Sequence, residues 1–395
     1  MHKMAFHSLI LAGAFFWLFS PVAHAQSAAE EAGAFEKPVV IEAPTLPADS
    51  RSYGEPPANP ATTYFPVLPY ESAPDATPLL VPVASNHPLD GDHAAITRAI
   101  IVIHDVSRDA NSALGLMTAL AGSQNAQTMI IAPQFLLGSD IARYADRLPN
   151  DGHDLARWGF GAWEDGGDST QPSPQKSVSS FTVMDLLVMY FAEKPYFPNL
   201  KEIIVAGHGA GGDFVLRYAA AAKAPDLLDD STKVRFIAAN PATFLYFTAS
   251  RPLSNNKPGI AIPDASKCPT YDHYKYGLTE LNAYASRAGS NAIRLRYPSR
   301  SVTYITGEKI QSDDHFPDAS CAAMLQGANR LVRLMNYDLY LNAIFSGHMD
   351  SQQFSTVPKA GYDPGAVLGS PCGMSVLFGD GTCRASSVTG SKNLQ

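Results

Sequence analysis

The chain has 395 residues, a hydrophobic fraction of 46% and a formal net charge of −8. That length holds one large domain or two small ones, with an ordinary globular core. The negative balance, with no basic cluster, argues against nucleic acid and against an acidic membrane surface as partners.

Residues 1–25 read as a secretory signal peptide. The apolar run from Ser8 to Ser20 is too short for a comfortable membrane span, and Ala23-His24-Ala25 fits the small-x-small cleavage rule, leaving Gln26 as the mature N-terminus. No later run reaches spanning length, so the expected location is periplasmic or secreted. Residues 26–81 are rich in proline and alanine and read as an extended lead-in, with an early strand at Leu79–Val83.

An ordered domain is expected over residues 82–395. Continuous apolar runs at Ala99–Ile103, Met129–Ala132, Ile203–Val205, Val234–Ala239, Val302–Ile305 and Phe354–Val357 suit parallel strands buried on both faces. Helical patterns alternate with them at Ser112–Ala121, at Ser180–Ala192, from Phe214 onward, and as one long helix over Ala319–Ile344. Residues 136–178 read as a long loop excursion. Residues 240–298, with Tyr246, Tyr271, Tyr274 and Tyr276, read as a cap-like insertion over the C-terminal edge of the sheet. The alternation predicts an α/β fold, with a mostly parallel central sheet covered by helices on both faces.

The cysteines are Cys268, Cys321, Cys372 and Cys383. An even count in an exported chain favours disulfides, with three pairings open. The pairing preferred is Cys372 with Cys383, closing a short loop, and Cys268 with Cys321. No Cys-x-x-Cys, Cys/His cluster, phosphate-binding loop or dinucleotide fingerprint is present, so neither metal nor cofactor is expected.

The chemistry concentrates at Lys201–Tyr218, KEIIVAGHGAGGDFVLRY. A buried strand runs into a glycine-dense turn and then a helix, the layout of a G-x-S-x-G nucleophile elbow. The middle position is Gly209, which has no side chain to attack a carbonyl. An elbow residue with a Cβ carries about 1–3 kcal/mol of backbone strain, and glycine is little strained there.

With the ordered pieces ITRAIIVIHD, APQF, SSFTVMDLL, FPNLKEIIVAGHGAGG, ANPATFLYF, YKYGLTELNAY, SCAAMLQG and VPKAGYDPGAV, the chain resembles the α/β-hydrolase superfamily from about Pro82 to Phe378. More narrowly it is similar to secreted bacterial and fungal members of mostly unassigned function. The resemblance implies a serine at 209, a histidine at 362 and an acid at 310. The chain has Gly209, Tyr362 and Ile310 there, with Asp313 and Asp314 as candidates for a shifted acid. Tyrosine titrates near 10 and is a poor general base at neutral pH. The resemblance places the oxyanion loop at His104-Asp105, where relatives carry His-Gly. The Asp105 carboxylate either points inward, against a developing oxyanion, or outward to pair with Arg108. His208 is expected to be buried and to face away from the pocket, and His348 to be an exposed turn residue.

These departures together imply an exported α/β-hydrolase-like protein that has lost serine-hydrolase chemistry. Its pocket would be kept for an ester-like or anionic ligand, held by the backbone N–H groups of Gly209 and Ala210 and walled by the aromatic insertion. The alternatives are an active esterase or lipase with a relocated constellation, and a scaffold whose proline-rich lead-in binds a partner.

Overall fold

The computed structural model describes residues 60–68, 77–144, 147–173, 176–253, 259–310, 318–345 and 351–383. Of the two compact units into which the chain divides, 1–37 and 38–395, all of these belong to the second. The signal peptide and most of the lead-in lie outside them, as do Asp313, Asp314 and His348.

Ten strands are described: β1 (Thr63–Val67), β2 (Leu79–Ser85), β3 (Arg98–Ile103), β4 (Thr128–Pro133), β5 (Glu202–His208), β6 (Lys233–Ala239), β7 (Arg251–Pro252), β8 (Ile260–Ala261), β9 (Ser301–Gly307) and β10 (Gln352–Val357). Eight form one sheet in the order β1-β2-β4-β3-β5-β6-β9-β10. β2 runs antiparallel to both its neighbours, and every pair from β4 to β10 is parallel. β7 and β8 form a small separate hairpin in the insertion.

Alternation along the strands divides the core in two. Ile101, Ile103, Ile203 and Val205 face one apolar cluster; Ile100, Val102, Ile204 and Ala206 face the other. This is why the runs are continuously apolar: both faces are covered. The second cluster is closed by α1 (Ala110–Ala121) and by the C-terminal α9 (Pro364–Leu368) and α10 (Pro371–Phe378). The first is closed by α3 (Ser180–Ala192), α4 (Ala210–Ala221), α5 (Ala283–Ala288), α6 (Ser290–Arg296) and α8 (Arg330–Ile344). The remaining helices are α2 (Gly138–Tyr144) and the single turn α7 (Cys321–Met324).

Three expectations need correction. The sheet begins at Thr63, inside the stretch read as lead-in, and residue 82 falls within β2. Phe65 and Val67 turn into the core while Pro66 stays exposed, which an edge strand tolerates. The long helix over 319–344 is broken into α7 and α8. Gly327 has φ 148°, outside the helical region, and Asn329 restarts the helix as an N-cap accepting the Val332 N–H. The excursion over 136–178 contains α2 and is no solvent loop: Trp158 and Trp163 are buried in the main core.

The disulfides are Cys268–Cys321 and Cys372–Cys383. The first ties the insertion to α7. Among the described residues, no helix is long and apolar enough to cross a membrane.

Irregular segments over the C-terminal edge are cross-linked by buried arginines. Arg333 donates to the carbonyls of Gly327, Ala242 and Asp318. Arg251 donates to those of Thr248, Ser250 and Tyr271, and its guanidinium lies over the Tyr246 and Tyr271 rings. Arg217 of α4 donates to the Lys275 carbonyl, to Thr243 Oγ1 and, at 2.9 Å, to the Asp213 carboxylate. Burial raises the Asp213 carboxyl's pKa, but the Arg217 and Lys275 cations and the Ala242 N–H together bring it below the ordinary carboxylate value. Replacing Arg217 by Leu strands a buried charge, with an expected loss of about 3–5 kcal/mol. Adding Asp213→Asn removes the stranded charge and keeps an acceptor for one of the Ala242 and Thr243 N–H groups, which bond different Asp213 oxygens, so it should recover part of it. Denaturant melts of the single and double variants measure this, and a double variant less stable than Arg217→Leu would contradict it.

Candidate functional site

The C-terminal ends of β3, β5, β6 and β10 carry the residues to be considered. A crevice beyond these ends is where open α/β sheets place their ligands. β5 ends at His208, α4 starts at Ala210, and Gly209 makes the turn between them with φ 60° and ψ −120°. This is strained backbone that glycine adopts readily. Gly211 is required separately: a Cβ there would lie 2.7 Å from the His104 carbonyl oxygen. The elbow's shape is therefore set by close backbone packing.

The space in front of Gly209 is filled. A Cβ at 209 would stand 2.5 Å from Asp105 Oδ1 and 2.7 Å from its Cγ, and would also collide with the Tyr362 hydroxyl. Asp105 points inward. Its Oδ1 accepts the backbone N–H of Val106 at 2.8 Å and that of Ala210 at 2.9 Å. Its Oδ2 accepts the Tyr362 hydroxyl at 2.7 Å. Arg108, its proposed outward partner, is instead paired with Asp140 beneath the loop. The Ala210 N–H opens the helix and the Val106 N–H lies on the loop after β3. Both hold the chain's own carboxylate. The Gly209 N–H, expected to serve a ligand, is bonded to the Ala239 carbonyl.

Tyr362 lies beside the elbow, as its place in the sequence implied. Burial, with the Asp105 charge acting in the same direction, pushes its hydroxyl well above the ordinary tyrosine range, so it stays protonated and donates. The Arg330 guanidinium sits 4.8 Å from the centre of its ring and the His208 ring 4.6 Å from it, edge to face.

His208 is buried, but it does not turn away from this cluster: Nδ1 is 3.9 Å from Asp105 Oδ2. Its tautomer follows from Asn240. Asn240 Oδ1 accepts the Gly307 N–H, so Nδ2 faces His208 Nε2 at 3.1 Å and donates to it. Nε2 is thus an acceptor and the proton resides on Nδ1. Burial lowers the His208 pKa to about 4, opposed only in part by Asp105.

His104, expected at the pocket, lies under the loop. Its Nε2 accepts the Phe135 N–H at 3.0 Å, Nδ1 lies 2.9 Å from the Asp105 carbonyl, and the ring packs on Trp163. Burial brings it also to about 4. Its role is to fix the loop that carries Asp105. Ile310 is buried in the turn after β9, whose Glu308 and Lys309 N–H groups bond the carbonyls of Val357 and Ala360. The aromatic insertion is spent on packing. Tyr246 and Tyr271 are buried against Arg251, and the Tyr274 hydroxyl bonds the Asp165 carbonyl.

Two residues escaped the sequence reading. Asn240 has φ 46° and ties His208, Gly307 and the Gly361 carbonyl together. An asparagine directly after a buried strand was the available signal, since it tolerates the left-handed region. Arg330 gave none. Among the described residues, no group of His, Cys, Asp and Glu suits a metal ion.

No protein-family model matches the sequence, and the search of curated proteins gives no match. Among solved structures, the chain is similar to LpqC, a poly(3-hydroxybutyrate) depolymerase from Bordetella parapertussis. The TM-score is 0.52 at 16% identity, over 83% of this chain and 93% of that one. It is also similar to poly(aspartic acid) hydrolase-1 from Sphingomonas sp. KT-1, with TM-score 0.47 and 17% identity, over 78% and 95%. The first likeness, with the strand order, shows the α/β-hydrolase fold.

The histidines give a pH prediction. Both are neutral when folded and titrate near 4, against 6.5 when unfolded. As pH falls from 6.5 to 4 the unfolded chain takes up protons that the folded one does not, so stability falls across that window and this contribution levels off below it. Each histidine contributes at most about 3 kcal/mol to the fall. His208→Gln, which keeps an acceptor for Asn240, should flatten the dependence. Denaturation midpoints at pH 7 and 4.5 measure it, and an unchanged difference between them in the variant would refute the assignment.

Proposed function

We propose that this chain is an exported protein of the α/β-hydrolase fold that does not hydrolyse esters at its elbow. The observation that carries this reading is the Asp105 carboxylate, bonded to the Val106 and Ala210 N–H groups where an oxyanion would sit.

Acyl transfer needs a nucleophile, a base and free oxyanion donors. Gly209 offers no nucleophile. Tyr362 holds its proton too tightly to act as base near neutral pH. His208 is neutral, but its Nε2 lone pair is engaged by Asn240. Removing one oxyanion donor typically costs roughly 10²–10³ in kcat, and here both are engaged. A negative charge about 4 Å from a developing oxyanion opposes it by about 4 kcal/mol at an effective dielectric near 20. Each obstacle has a different chemical origin, so relieving one leaves the others. Export is supported by residues 1–25 and by two disulfides, which suit an oxidising compartment. An anionic ligand entering at the elbow would first have to displace Asp105.

Purified protein should show no turnover of p-nitrophenyl acetate or butyrate above buffer and no labelling by a fluorophosphonate. Turnover that disappears in Tyr362→Phe or Asp105→Asn would overturn the reading. Gly209→Ser should stay inactive and melt below wild type, because its Cβ meets Asp105 and Tyr362 and the turn becomes strained.

A further inference from the structure

The geometry points to Asp105 as an internal ligand: the elbow retains a carboxylate-binding site that the chain fills with its own side chain, and residues 105, 209 and 362 form one lock. This deepens the non-hydrolytic reading and rests on it. The site admits a carboxylate from position 105 or a side chain at position 209, and not both.

The site has three donors from three separated parts of the chain. The Val106 N–H comes from the loop after β3, the Ala210 N–H from the first residue of α4, and the Tyr362 hydroxyl from the loop after β10. They converge on the two oxygens of one carboxylate, as an anion-binding cradle does. The loop below is fixed by His104, and the Tyr362 ring is held between His208 and the Arg330 guanidinium. Two of the three donors, Ala210 and Tyr362, lie outside the occupant's loop, and the loop is anchored through His104 and backbone groups, so the cradle should survive removal of the carboxylate. The Asp105 side chain is 25% exposed, so a small solute can reach the same place from solvent.

The exclusivity follows from distance. The Cβ of any side chain at 209 would stand 2.5 Å from Asp105 Oδ1, well inside contact. A substitution at 209 must displace both the carboxylate and the Tyr362 hydroxyl, and loss of the carboxylate removes one of these two obstacles together with the bond that holds the hydroxyl there. The ligand class for the vacated site is a small planar carboxylate, formate or acetate, which reproduces the atoms removed in Asp105→Gly.

The test uses the full chain with Asp105→Gly, Gly209→Ser and the pair together, melted in sodium chloride, formate or acetate at equal ionic strength. We expect Asp105→Gly to melt below wild type and to regain part of the loss in formate and acetate. The gain should rise with the logarithm of anion concentration, as for a bound ligand; wild type should not respond. The double variant should lose less than the sum of the single losses. Additive losses, together with no formate or acetate response, would overturn the lock. Should Asp105→Gly fail to fold in every salt, Asp105→Asn decides: a melting temperature equal to wild type overturns the lock and a lower one supports it. Ester turnover by wild type is a separate measurement that bears on the proposed function and leaves this result standing.

Discussion

A carboxylate held by two backbone N–H groups and a phenol organises the elbow of this protein. The Val106 and Ala210 donors exist because of the fold: one heads a loop leaving β3, the other opens a helix. Both are partly shielded from solvent, so each is better satisfied by a fixed acceptor than left without one. Asp105 supplies that acceptor, and the consequences run outward from it. Residue 209 must lack a Cβ, residue 362 must offer a donor, and the loop must hold Asp105 in place, which His104 does by bridging the Asp105 carbonyl to the Phe135 amide. Histidine at 362 could still donate, but tyrosine reaches the carboxylate while remaining protonated at any physiological pH.

The surroundings are built on the same economy of donors and acceptors. Long irregular segments cross the C-terminal edge of the sheet, and their carbonyls need partners that regular structure would have provided. Arg251 and Arg333 supply them, each with its fork spread over several loop carbonyls, and Arg217 supplies one to the Lys275 carbonyl. Asn240 does so on a smaller scale between β6, β9 and the loop after β10. This rigidity gives the Asp105 carboxylate a fixed set of donors, and it explains why the aromatic insertion is packed into the core.

What was legible in the sequence is what depends on local pattern. Apolar runs located the interior strands because burial on both faces leaves no polar alternation to confuse them. The glycine-dense turn located the elbow because three backbones meet there with no room for a Cβ. The edge strand Thr63–Val67 was hidden by its proline, and the break at Gly327 by the apolar periodicity on either side. The orientation of Asp105 could not be read, since its partner Tyr362 is 257 positions away. The pairing of Arg108 with Asp140 rather than Asp105 could not be read either, since it depends on which acid lies beneath the loop. Arg330 reaches the site from a helix that the sequence joined wrongly to its neighbour.

The shape of the elbow around Gly209 has a physical reason that does not involve catalysis. Gly207 and Gly211 lie against each other's backbone, Gly211 against the carbonyls at the end of β3, and Gly212 against the Ala239 carbonyl at the end of β6. These contacts fix how α4 seats on the sheet, and they are the same whether position 209 carries a nucleophile or not. The φ of 60° at 209 is likewise imposed by the strand-to-helix reversal. The glycines are needed because the helix cannot otherwise pack, and glycine at 209 itself lowers the strain of the turn. The motif's outer glycines therefore report the fold, and only its central residue and that residue's neighbours in space report the reaction.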